Sequence, residues 1–512
     1  MSGRREERAA EGVRDPAPPR PRPAPAEPHA PVLLEKYNCS CIANANAAKI
    51  LIDGAAYFAQ LEAALRTAQR SILIIGWDFD GRVQLRRDDG ACPAIGDLLR
   101  ALVEERPELN VRILVWSSAV VHAPSAPSEL LFGGAWQDHP RIDLRLDTTH
   151  PIYGAHHQKV VCIDGARAFV GGMDITIDRW DTPAHIVDDP RRRSPGGTPY
   201  PPVHDVQMVL DGDAARAVCA IASKRWAGAT GEEVSSPRDE SGASPSAVEA
   251  PEATDFRDVS IGFSRVLPAW NGRTPVSEGP RLTADMLRAA RTSIFIEAQY
   301  LTAAFVADIL EQRLMEPDGP EIVAIVSRVT HTKLERFIMG ENRDRLIRRL
   351  SQADRHDRFR AYHPVVSDGI SEHSVLIHSK IIIIDDRLLR IGSSNLNNRS
   401  IGLDSELDAV IEAKDAATRA GVAAVRDRLL AEHLDATPEQ VADLLAQDGS
   451  LVRMINQLNI GARGLRPFDA MDTKGAIRPT ALTKLLDPPR PFEPNWLLKH
   501  RRHAVRRAPS SR

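Results

Sequence analysis

Two short segments of the sequence carry the same chemically active residue types at the same spacing. The pattern is His, one residue, Lys, four residues, Asp, and it is formed by His157, Lys159 and Asp164 and again by His378, Lys380 and Asp385. Because alternate side chains of a strand share a face, each imidazole is expected to lie beside an ammonium group. An imidazole can attack as a nucleophile or donate a proton, and an ammonium stabilises an oxyanion. The pattern therefore predicts attack at a charged phosphoryl centre, with two complementary imidazoles.

The two segments belong to an internal repeat. Residues 64–72 align with residues 286–294 at an offset of 222, and residues 157–164 align with residues 378–385 at an offset of 221. Each motif is followed by a glycine 14 residues after the His and by a polar side chain 17 residues after it, which are Gly171 and Asp174 in the first copy and Gly392 and Asn395 in the second. Two regions that keep the same order and spacing indicate a duplicated unit.

The elements that position the motifs are of the α/β type. Tyr57, Leu61 and Leu65 fall at helical spacing and precede a short apolar strand at residues 72–75. The runs at 160–163 and 381–384 are continuously apolar, as a sheet covered on both faces requires. We therefore predict an α/β fold built from two similar units.

The length of 512 residues excludes one small domain and leaves room for two cores with tails. Residues 228–254 are rich in Gly, Ser, Pro and Glu, which indicates a linker. The predicted organisation is a disordered Pro/Arg-rich tail at 1–44, a first lobe at 45–227, a linker or surface loop at 228–256, a second lobe at 257–415, a helical extension at 416–498 and a basic tail at 499–512. The basic tail is interpreted as a solvated terminus, with a surface for anionic lipid as the alternative.

The charge balance restricts the partners. There are 66 basic and 69 acidic residues, a net charge of −3, which argues against a surface devoted to nucleic acid but permits a local basic groove. Aromatic residues make up 5%, so few platforms exist for stacking single strands. No acidic calcium loop and no cluster with zinc spacing is recognisable, and we expect neither a metal nor a cofactor.

The cysteines and the apolar runs of the sequence bear on the cellular compartment in which the protein is expected. The five cysteines are an odd number without paired CxxC spacing, which favours a reducing environment. Residues 1–30 lack the apolar run of a secretory signal, and no segment approaches about 20 uninterrupted apolar residues. We expect a cytoplasmic protein with peripheral membrane contact at most; export without a classical signal stays open.

Several further segments resemble those of one family. Residues 75–78 (IGWD), 171–174 (GGMD), 178–183 (DRWDTP), 296–300 (IEAQY) and 391–400 (IGSSNLNNRS) are similar to segments of the phospholipase D superfamily, whose signature is the paired HxKxxxxD motif. Ala298 departs from the family's IENQY, which has Asn there. The resemblance covers most of residues 45–410 and is more specific for the superfamily than for any substrate.

The resemblance implies two α/β lobes with mixed sheets flanked by helices, related by a pseudo-twofold axis, with one active site at the lobe interface. It implies that His157 attacks phosphorus to form a phosphohistidine and that His378 protonates the leaving alcohol, although the two roles could be exchanged. Water or another alcohol then resolves the intermediate. Lys159, Lys380, Asn395 and Asp174 are expected to contact the substrate phosphate, through charge-assisted hydrogen bonds in the case of the lysines.

A nucleophilic histidine needs a fixed partner for its second nitrogen, and a carboxylate supplies one. Asp205 and Glu406 each open an apolar strand at positions that match the family's, so we predict that they orient the imidazoles. Asp164 and Asp385 are expected to brace the turns beyond their strands rather than touch substrate, and Gly171 and Gly392 to allow close backbone approach.

The rim of the site is less well defined by the sequence. Trp77, Arg179 and Trp180 are interpreted as entrance residues, with core packing as the alternative for the tryptophans. Leu130, Leu131 and Phe132 form an apolar cluster that is either a buried turn or an interfacial lipid anchor.

The leading functional hypothesis is a phospholipase D that hydrolyses a glycerophospholipid of the phosphatidylcholine type at a membrane surface and performs transphosphatidylation when an alcohol competes with water. The alternatives are a cardiolipin-synthase-like phosphatidyltransferase, a nuclease of the same superfamily and a catalytically silent binding protein. Near-neutral charge and few aromatic residues disfavour nucleic acid as a partner.

Overall fold

The structure, a computed structural model, describes residues 30–87, 92–117, 134–151, 153–234, 254–329, 339–480 and 487–491. The apolar cluster at 130–132 and the basic tail at 499–512 lie outside the described residues. None of the helices in the described ranges combines the length and the apolar character that crossing a membrane requires.

The first half begins with a long strand and ends with a long helix. Its elements are β1 (Cys41–Ile52), α1 (Asp53–Leu65), β2 (Ser71–Gly76), α2 (Ile95–Glu105), β3 (Asn110–Trp116), β4 (Ile142–Asp147), β5 (Val160–Ile163), β6 (Arg167–Gly171), β7 (Val203–His204), β8 (Val206–Asp211) and α3 (Gly212–Thr230).

The second half repeats this order and adds a C-terminal extension. Its elements are β9 (Phe256–Leu267), β10 (Val276–Ser277), α4 (Glu278–Ala289), β11 (Ser293–Ala298), α5 (Ala304–Met315), β12 (Glu321–Val326), α6 (Glu341–Ala353), β13 (Phe359–Ser367), β14 (Glu372–Ser374), β15 (Leu376–Ile377), β16 (Lys380–Ile384), β17 (Leu388–Gly392) and β18 (Glu406–Glu412), followed by α7 (Ala416–Leu434), α8 (Pro438–Asp448), α9 (Leu451–Leu458) and β19 (Gly464–Pro467).

Strand pairing makes the duplication visible. The first half pairs in the order β4-β3-β2-β5-β6-β8-β1, and the second in the matching order β13-β12-β11-β16-β17-β18-β9. The strands β2, β3 and β4 run parallel to one another, and the remaining pairs of that half are antiparallel. The predicted α/β fold with mixed sheets and flanking helices is confirmed.

The two halves are joined more tightly than a linker would join them. The antiparallel pair β1 and β9 runs from Cys41 opposite Phe263 to Ala48 opposite Phe256, so the hydrogen bonding continues from one half into the other. Because successive side chains of a strand point to opposite faces of the sheet, alternate apolar side chains of β5 and of β16 belong to different cores. Val160 and Cys162 of β5 pack with Ile381 and Ile383 of β16 in one shared core, together with residues of α3 and α7. The intervening side chains of each strand face separate outer cores.

The predicted boundaries of the N-terminal tail and the C-terminal extension need correction. Residues 41–44 lie in β1, and the amides of Val32 and Leu33 donate to the Glu412 carboxylate at 2.9 and 3.0 Å, so a disordered tail to residue 44 is wrong for the described residues from 30 onward. The C-terminal extension is not wholly helical, because β19 adds to the edge of β13. Both segments satisfy strand amides or carbonyls that would otherwise be exposed.

The motif aspartates fasten the turns that lead into the neighbouring strands. Asp164 accepts hydrogen bonds from the amides of residues 69, 70 and 71 at 2.7 to 2.8 Å, just before β2. Asp385 does the same for residues 291, 292 and 293 before β11. They brace a turn, as expected, but it is the turn preceding the adjacent strand rather than the one beyond their own.

Replacing this brace should cost stability. We expect Asp385→Ala to lower the free energy of unfolding by about 1–3 kcal/mol, because several amides lose their acceptor. Asp357→Ala is the matched control, since Asp357 has nearly the same φ (56° against 53°) but its side chain is 85% exposed. Urea unfolding of both variants measures the difference, and equal losses would show that the backbone conformation alone is responsible.

Candidate active site

Each motif histidine is bonded through its backbone to the opposite half. The His157 amide donates to the Ser405 carbonyl at 3.0 Å, just before β18. The His378 amide donates to the His204 carbonyl at 2.8 Å, where β15 pairs in parallel with β7. These bonds place each imidazole beside the other half's acidic residue, which is Glu406 at the start of β18 and Asp205 between β7 and β8.

The imidazoles and carboxylates pair across the two halves. His157 Nδ1 lies 2.9 Å from Glu406 Oε2, and His378 Nδ1 lies 2.7 Å from Asp205 Oδ2. Both carboxylates are buried. The structure thus brings together the four residues that the sequence predicts, but each carboxylate serves the histidine of the other copy of the repeat, which linear order did not reveal.

The tautomer of His157 follows from its neighbours. Its Nδ1 also lies 3.0 Å from the carbonyl oxygen of Ser393, which can only accept a hydrogen bond. Nδ1 therefore carries a proton, and in the neutral ring Nε2 keeps its lone pair. Burial, together with the charges of Lys159 and Lys380, holds the pKa of His157 well below its usual value. The lowered pKa favours the neutral ring, in which the Nε2 lone pair is available to act as a nucleophile.

Two serine hydroxyls hold the Glu406 carboxyl group. Ser393 Oγ donates to Oε2 at 2.6 Å and Ser400 Oγ donates to Oε1 at 2.7 Å, while burial raises the pKa of Glu406 to about 8. No role was predicted for these serines, although both lie in the IGSSNLNNRS segment. At the position equivalent to Ser393 the first half has Gly172, where the Asp205 carboxylate packs directly on the backbone. The first half thus combines the shorter acid Asp205 with a glycine, where the second half combines the longer acid Glu406 with the hydroxyl of Ser393.

The two lysines have different partners. Lys159 Nζ lies 3.0 Å from Asp174 Oδ2, and Asp174 also accepts the Trp77 amide at 2.8 Å. Lys380 Nζ contacts the Gln299 amide oxygen at 3.4 Å, and the residue equivalent to Asp174 is the neutral Asn395. Burial lowers the pKa of Lys380 to about 7, with a contribution from the charge of Lys159. Lys380 therefore loses its proton more readily than an ordinary lysine, and among the described residues it lacks the carboxylate partner that Lys159 has in Asp174.

One predicted phosphate contact needs correction. The Asp174 carboxylate is buried, is occupied by Lys159 and would repel a phosphate, so it positions the lysine instead. Asn395 stays a prediction; its Oδ1 is buried and accepts no hydrogen bond from the described residues. At Gly171 a Cβ would lie 2.6 Å from the Val206 carbonyl, and at Gly392 it would overlap Asp408, which agrees with the close approach expected at both.

The predicted entrance residues divide into core and near-site groups. Trp180 is 1% exposed and packs in the outer core of the first half, so it does not line an entrance. Trp77 is half-buried and stacks on Trp116 with ring centroids 5.7 Å apart. Arg179 is buried, and its charge acts on both Asp205 and Lys380, which places it beside the site.

A cavity of about 210 Å³ lies outside the two motif histidines. Its lining includes Gln158, Lys224, Arg225, Arg265 and Arg273, but neither motif histidine.

Family comparisons cover both motifs. Residues 64–260 match the family model described as Phospholipase D, and residues 283–423 match the model described as Cardiolipin synthase, PLD-like domain. Each matched range contains one motif with its histidine and lysine.

Two relatives illustrate the range of similar proteins. Phospholipase D B of Dictyostelium discoideum is 29% identical over an alignment of 205 positions, which covers 34% of this chain and 17% of that protein. Cardiolipin synthase of Halalkalibacterium halodurans is 24% identical over an alignment of 392 positions, which covers 71% of this chain and 62% of that protein. The chain thus spans less than two thirds of the length of either relative.

One solved structure shares the fold over most of both chains. Phosphatidylserine synthase of Haemophilus influenzae Rd KW20 superposes with a TM-score of 0.52 and 15% identity, covering 83% of this chain and 98% of that chain. At this identity the likeness concerns the fold alone.

The electrostatic coupling between the halves can be measured directly. Lys380→Met removes a positive charge that opposes protonation of His157, so the pKa of His157 should rise, and its neutral form should be lost at a higher pH than in the wild type. Nitrogen-15 NMR titration of histidine-labelled protein reads this pKa. Lys414→Met, at an exposed lysine, is the control. An unchanged His157 titration in Lys380→Met would contradict the coupling.

Proposed function

The chain belongs to the phospholipase D superfamily, and from this premise we propose that it hydrolyses a glycerophospholipid of the phosphatidylcholine type to phosphatidic acid and a free headgroup. The observation that carries the proposal is the pair of crossed imidazole–carboxylate contacts, His157 with Glu406 and His378 with Asp205. Lys159 donates to the His157 carbonyl at 3.1 Å, and Lys380 Nζ lies 3.3 Å from His378 Nδ1. Such a set supplies a nucleophile, a proton donor and cationic groups for one phosphodiester.

In the first step His157 Nε2 attacks phosphorus, the N–P bond forms and the bond to the headgroup oxygen breaks. His378 donates a proton to that oxygen, and the headgroup leaves as an alcohol. The assignment of His157 as nucleophile rests on its neutral ring and on its fixed Nδ1–H, which donates toward Glu406 and the Ser393 carbonyl. As the N–P bond forms, the ring becomes positively charged, and the adjacent carboxyl group stabilises it.

In the second step water attacks the phosphohistidine. His378 accepts the proton of the water, the N–P bond breaks, and phosphatidic acid leaves with its new P–O bond. An alcohol that replaces water gives a transphosphatidylation product by the same route. The reaction needs no redox change, and we propose that no cofactor takes part in it.

The lysines would hold the non-bridging phosphate oxygens. Lys159 forms an ion pair with Asp174, whereas Lys380 gains its full charge when the phosphate arrives, because an anion raises the pKa of a neighbouring ammonium. Asn395 would add a neutral hydrogen bond at the same phosphate. These three side chains would replace the water molecules around the phosphate with hydrogen-bond donors that are already oriented.

A phosphatidyltransferase of the cardiolipin-synthase type is the second candidate. The match of residues 283–423 to a cardiolipin synthase model and the 71% coverage by the Halalkalibacterium relative favour it. Both candidates share the first step and act on lipid at a membrane surface, and they differ in the alcohol that resolves the intermediate.

Product analysis separates the candidates. Purified protein is incubated with phosphatidylcholine vesicles and ethanol, with phosphatidylglycerol vesicles, and with plasmid DNA. Phosphatidic acid and phosphatidylethanol from the first mixture support the phospholipase, and cardiolipin from the second supports the transferase. Plasmid cleavage without any lipid product would overturn the lipid assignment.

Both imidazoles should be essential. We expect His157→Ala and His378→Ala each to lower kcat by about 10⁴-fold or more, as loss of one member of a catalytic unit does in other hydrolases. His373→Ala is the matched control, because His373 lies five residues before His378 with a side chain 40% exposed. Folding is checked by circular dichroism. Turnover by either catalytic variant at the control rate would refute the two-histidine mechanism.

The crossed pairing makes a finer prediction. Glu406→Gln should slow formation of the phosphohistidine by about 10²- to 10⁴-fold, because the amide cannot ionise as the carboxyl group can when the His157 ring becomes positively charged. Asp205→Asn should act through His378 and slow departure of the leaving group. A substrate with a better leaving group, such as p-nitrophenol, should therefore restore the rate of Asp205→Asn more than it restores the rate of Glu406→Gln. Rapid-quench kinetics measures both steps. Equal rescue of the two variants would contradict the assignment of roles.

A further inference from the structure

Beside the second histidine motif lies a buried cluster of ionisable side chains that the proposed reaction does not use. Asp53 begins α1, His185 follows the DRWDTP segment, His204 ends β7, and Glu432 lies near the end of α7. Asp53, His185 and His204 have exposures of 0 to 1%, and the Glu432 side chain is 5% exposed. Ionisable groups packed together at this depth require strong partners.

One atom of each side chain points to a common centre. His185 Nε2 and His204 Nδ1 lie 3.0 and 2.8 Å from Glu432 Oε1, and 3.8 and 3.1 Å from the Asp53 carboxylate. The four atoms lie within 4.8 Å of one another. In a tetrahedral zinc site, bonds of about 2.0–2.2 Å place neighbouring ligand atoms about 3.3 Å apart. The four distances between imidazole nitrogens and carboxylate oxygens, 2.8 to 3.8 Å, bracket this spacing.

The outer nitrogen of each imidazole is fixed by a further carboxylate. His185 Nδ1 lies 2.9 Å from Asp181 Oδ2, and His204 Nε2 lies 3.0 Å from Glu297 Oε2. Carboxylate–histidine contacts of this kind orient metal-binding imidazoles and fix the nitrogen that faces the metal. Asp181 is itself held by the Val203 amide at 2.9 Å, so the orientation is rigid.

The Asp53 carboxylate is buried and lies against two imidazoles. His204 Nδ1 lies 3.1 Å and His185 Nε2 lies 3.8 Å from its oxygens, and neither oxygen accepts a well-aligned hydrogen bond from the described residues. A buried carboxylate without well-aligned donors is costly unless a cation lies beside it.

We propose that Asp53, His185, His204 and Glu432 bind one divalent transition-metal ion of the zinc class in a closed, structural site. Two imidazole nitrogens and two carboxylate oxygens suit zinc, whereas calcium and magnesium prefer oxygen ligands throughout. All four positions are filled by protein side chains, so no position is left for substrate. The site is distinct from His157 and His378, neither of which is a ligand.

The metal would fasten the C-terminal extension to the first half, because Glu432 is the ligand contributed by α7. It would also fix the strand that carries Asp205, since His204 precedes Asp205 and accepts the His378 amide at 2.8 Å. The site therefore acts as a positioning device for the second imidazole, without contact to the reacting atoms.

The test begins with metal content. Full-length protein is treated with chelator, reloaded with zinc chloride and passed through gel filtration, and bound zinc is measured by plasma mass spectrometry. We expect one zinc ion per chain in the wild type and near-complete loss in the double variant His185→Ala, Glu432→Gln. His363→Gln is the matched control, because His363 is equally buried but contacts Arg328 at 3.2 Å and none of the four proposed ligands. Zinc retained by the double variant would overturn the proposal.

Two further measurements do not depend on the folding of that variant. X-ray absorption of the zinc-loaded wild type should show nitrogen and oxygen ligands at about 2.0–2.1 Å with imidazole scattering. A sulfur shell would instead assign the zinc to cysteines and refute the site. Asp181→Asn should weaken zinc affinity by about 10- to 100-fold, because it removes the partner of His185.

Failure of the folded wild type to retain zinc would also overturn the proposal. Protonated imidazoles would then hold the cluster, since the Asp53, Asp181 and Glu432 carboxylates raise the pKa of His185 to about 9 despite its burial. This outcome leaves the proposed reaction untouched, because none of its steps uses the four ligands.

Discussion

The crossed pairing of imidazoles and carboxylates is the constraint on which the rest of the structure depends. His157 contacts Glu406, 249 residues away, and His378 contacts Asp205, 173 residues away. Neither half can complete an imidazole–carboxylate pair alone. The continuous hydrogen bonding from β1 to β9 and the core shared by β5 and β16 are therefore functional requirements, since they hold the two halves in one register. A displacement of about 1 Å at such a site is costly for catalysis.

Within this near-symmetric frame, small substitutions make the halves chemically different. Asp174 gives Lys159 a charged partner, while Asn395 occupies the equivalent position near Lys380, whose pKa is lowered to about 7. Gly172 in one half and Ser393 in the other set how each carboxyl group is held. Duplication supplies two similar imidazoles, and these differences in charge and hydrogen bonding allow them to take the distinct roles that a two-step displacement needs.

The site also rests on an unusually polar layer. Asp53, Glu297 and Glu432 surround His204, one residue before the carboxylate that orients His378. Burying so many ionisable groups is expensive, and it becomes tolerable when every group has a partner of opposite charge. A metal ion at this position would offset the cost and would couple the C-terminal helix α7 to the geometry of the second imidazole.

The sequence by itself determined the features that are local or repeated. Continuous apolar runs at β5 and β16 require a covered sheet, the two HxKxxxxD motifs single out the candidate reacting residues, and Asp205 and Glu406 could be proposed because each precedes or begins an apolar run. Tertiary structure alone decided which carboxylate serves which histidine, that Asp174 binds a lysine rather than phosphate, and that residues 41–44 form part of a strand. It also decided that Asp53, His185, His204 and Glu432 converge, although their spacing in the chain matches no metal-binding pattern. The physical reason is that helix and strand periodicities fix which neighbours share a face, whereas contacts between residues hundreds of positions apart depend on how the two halves pack.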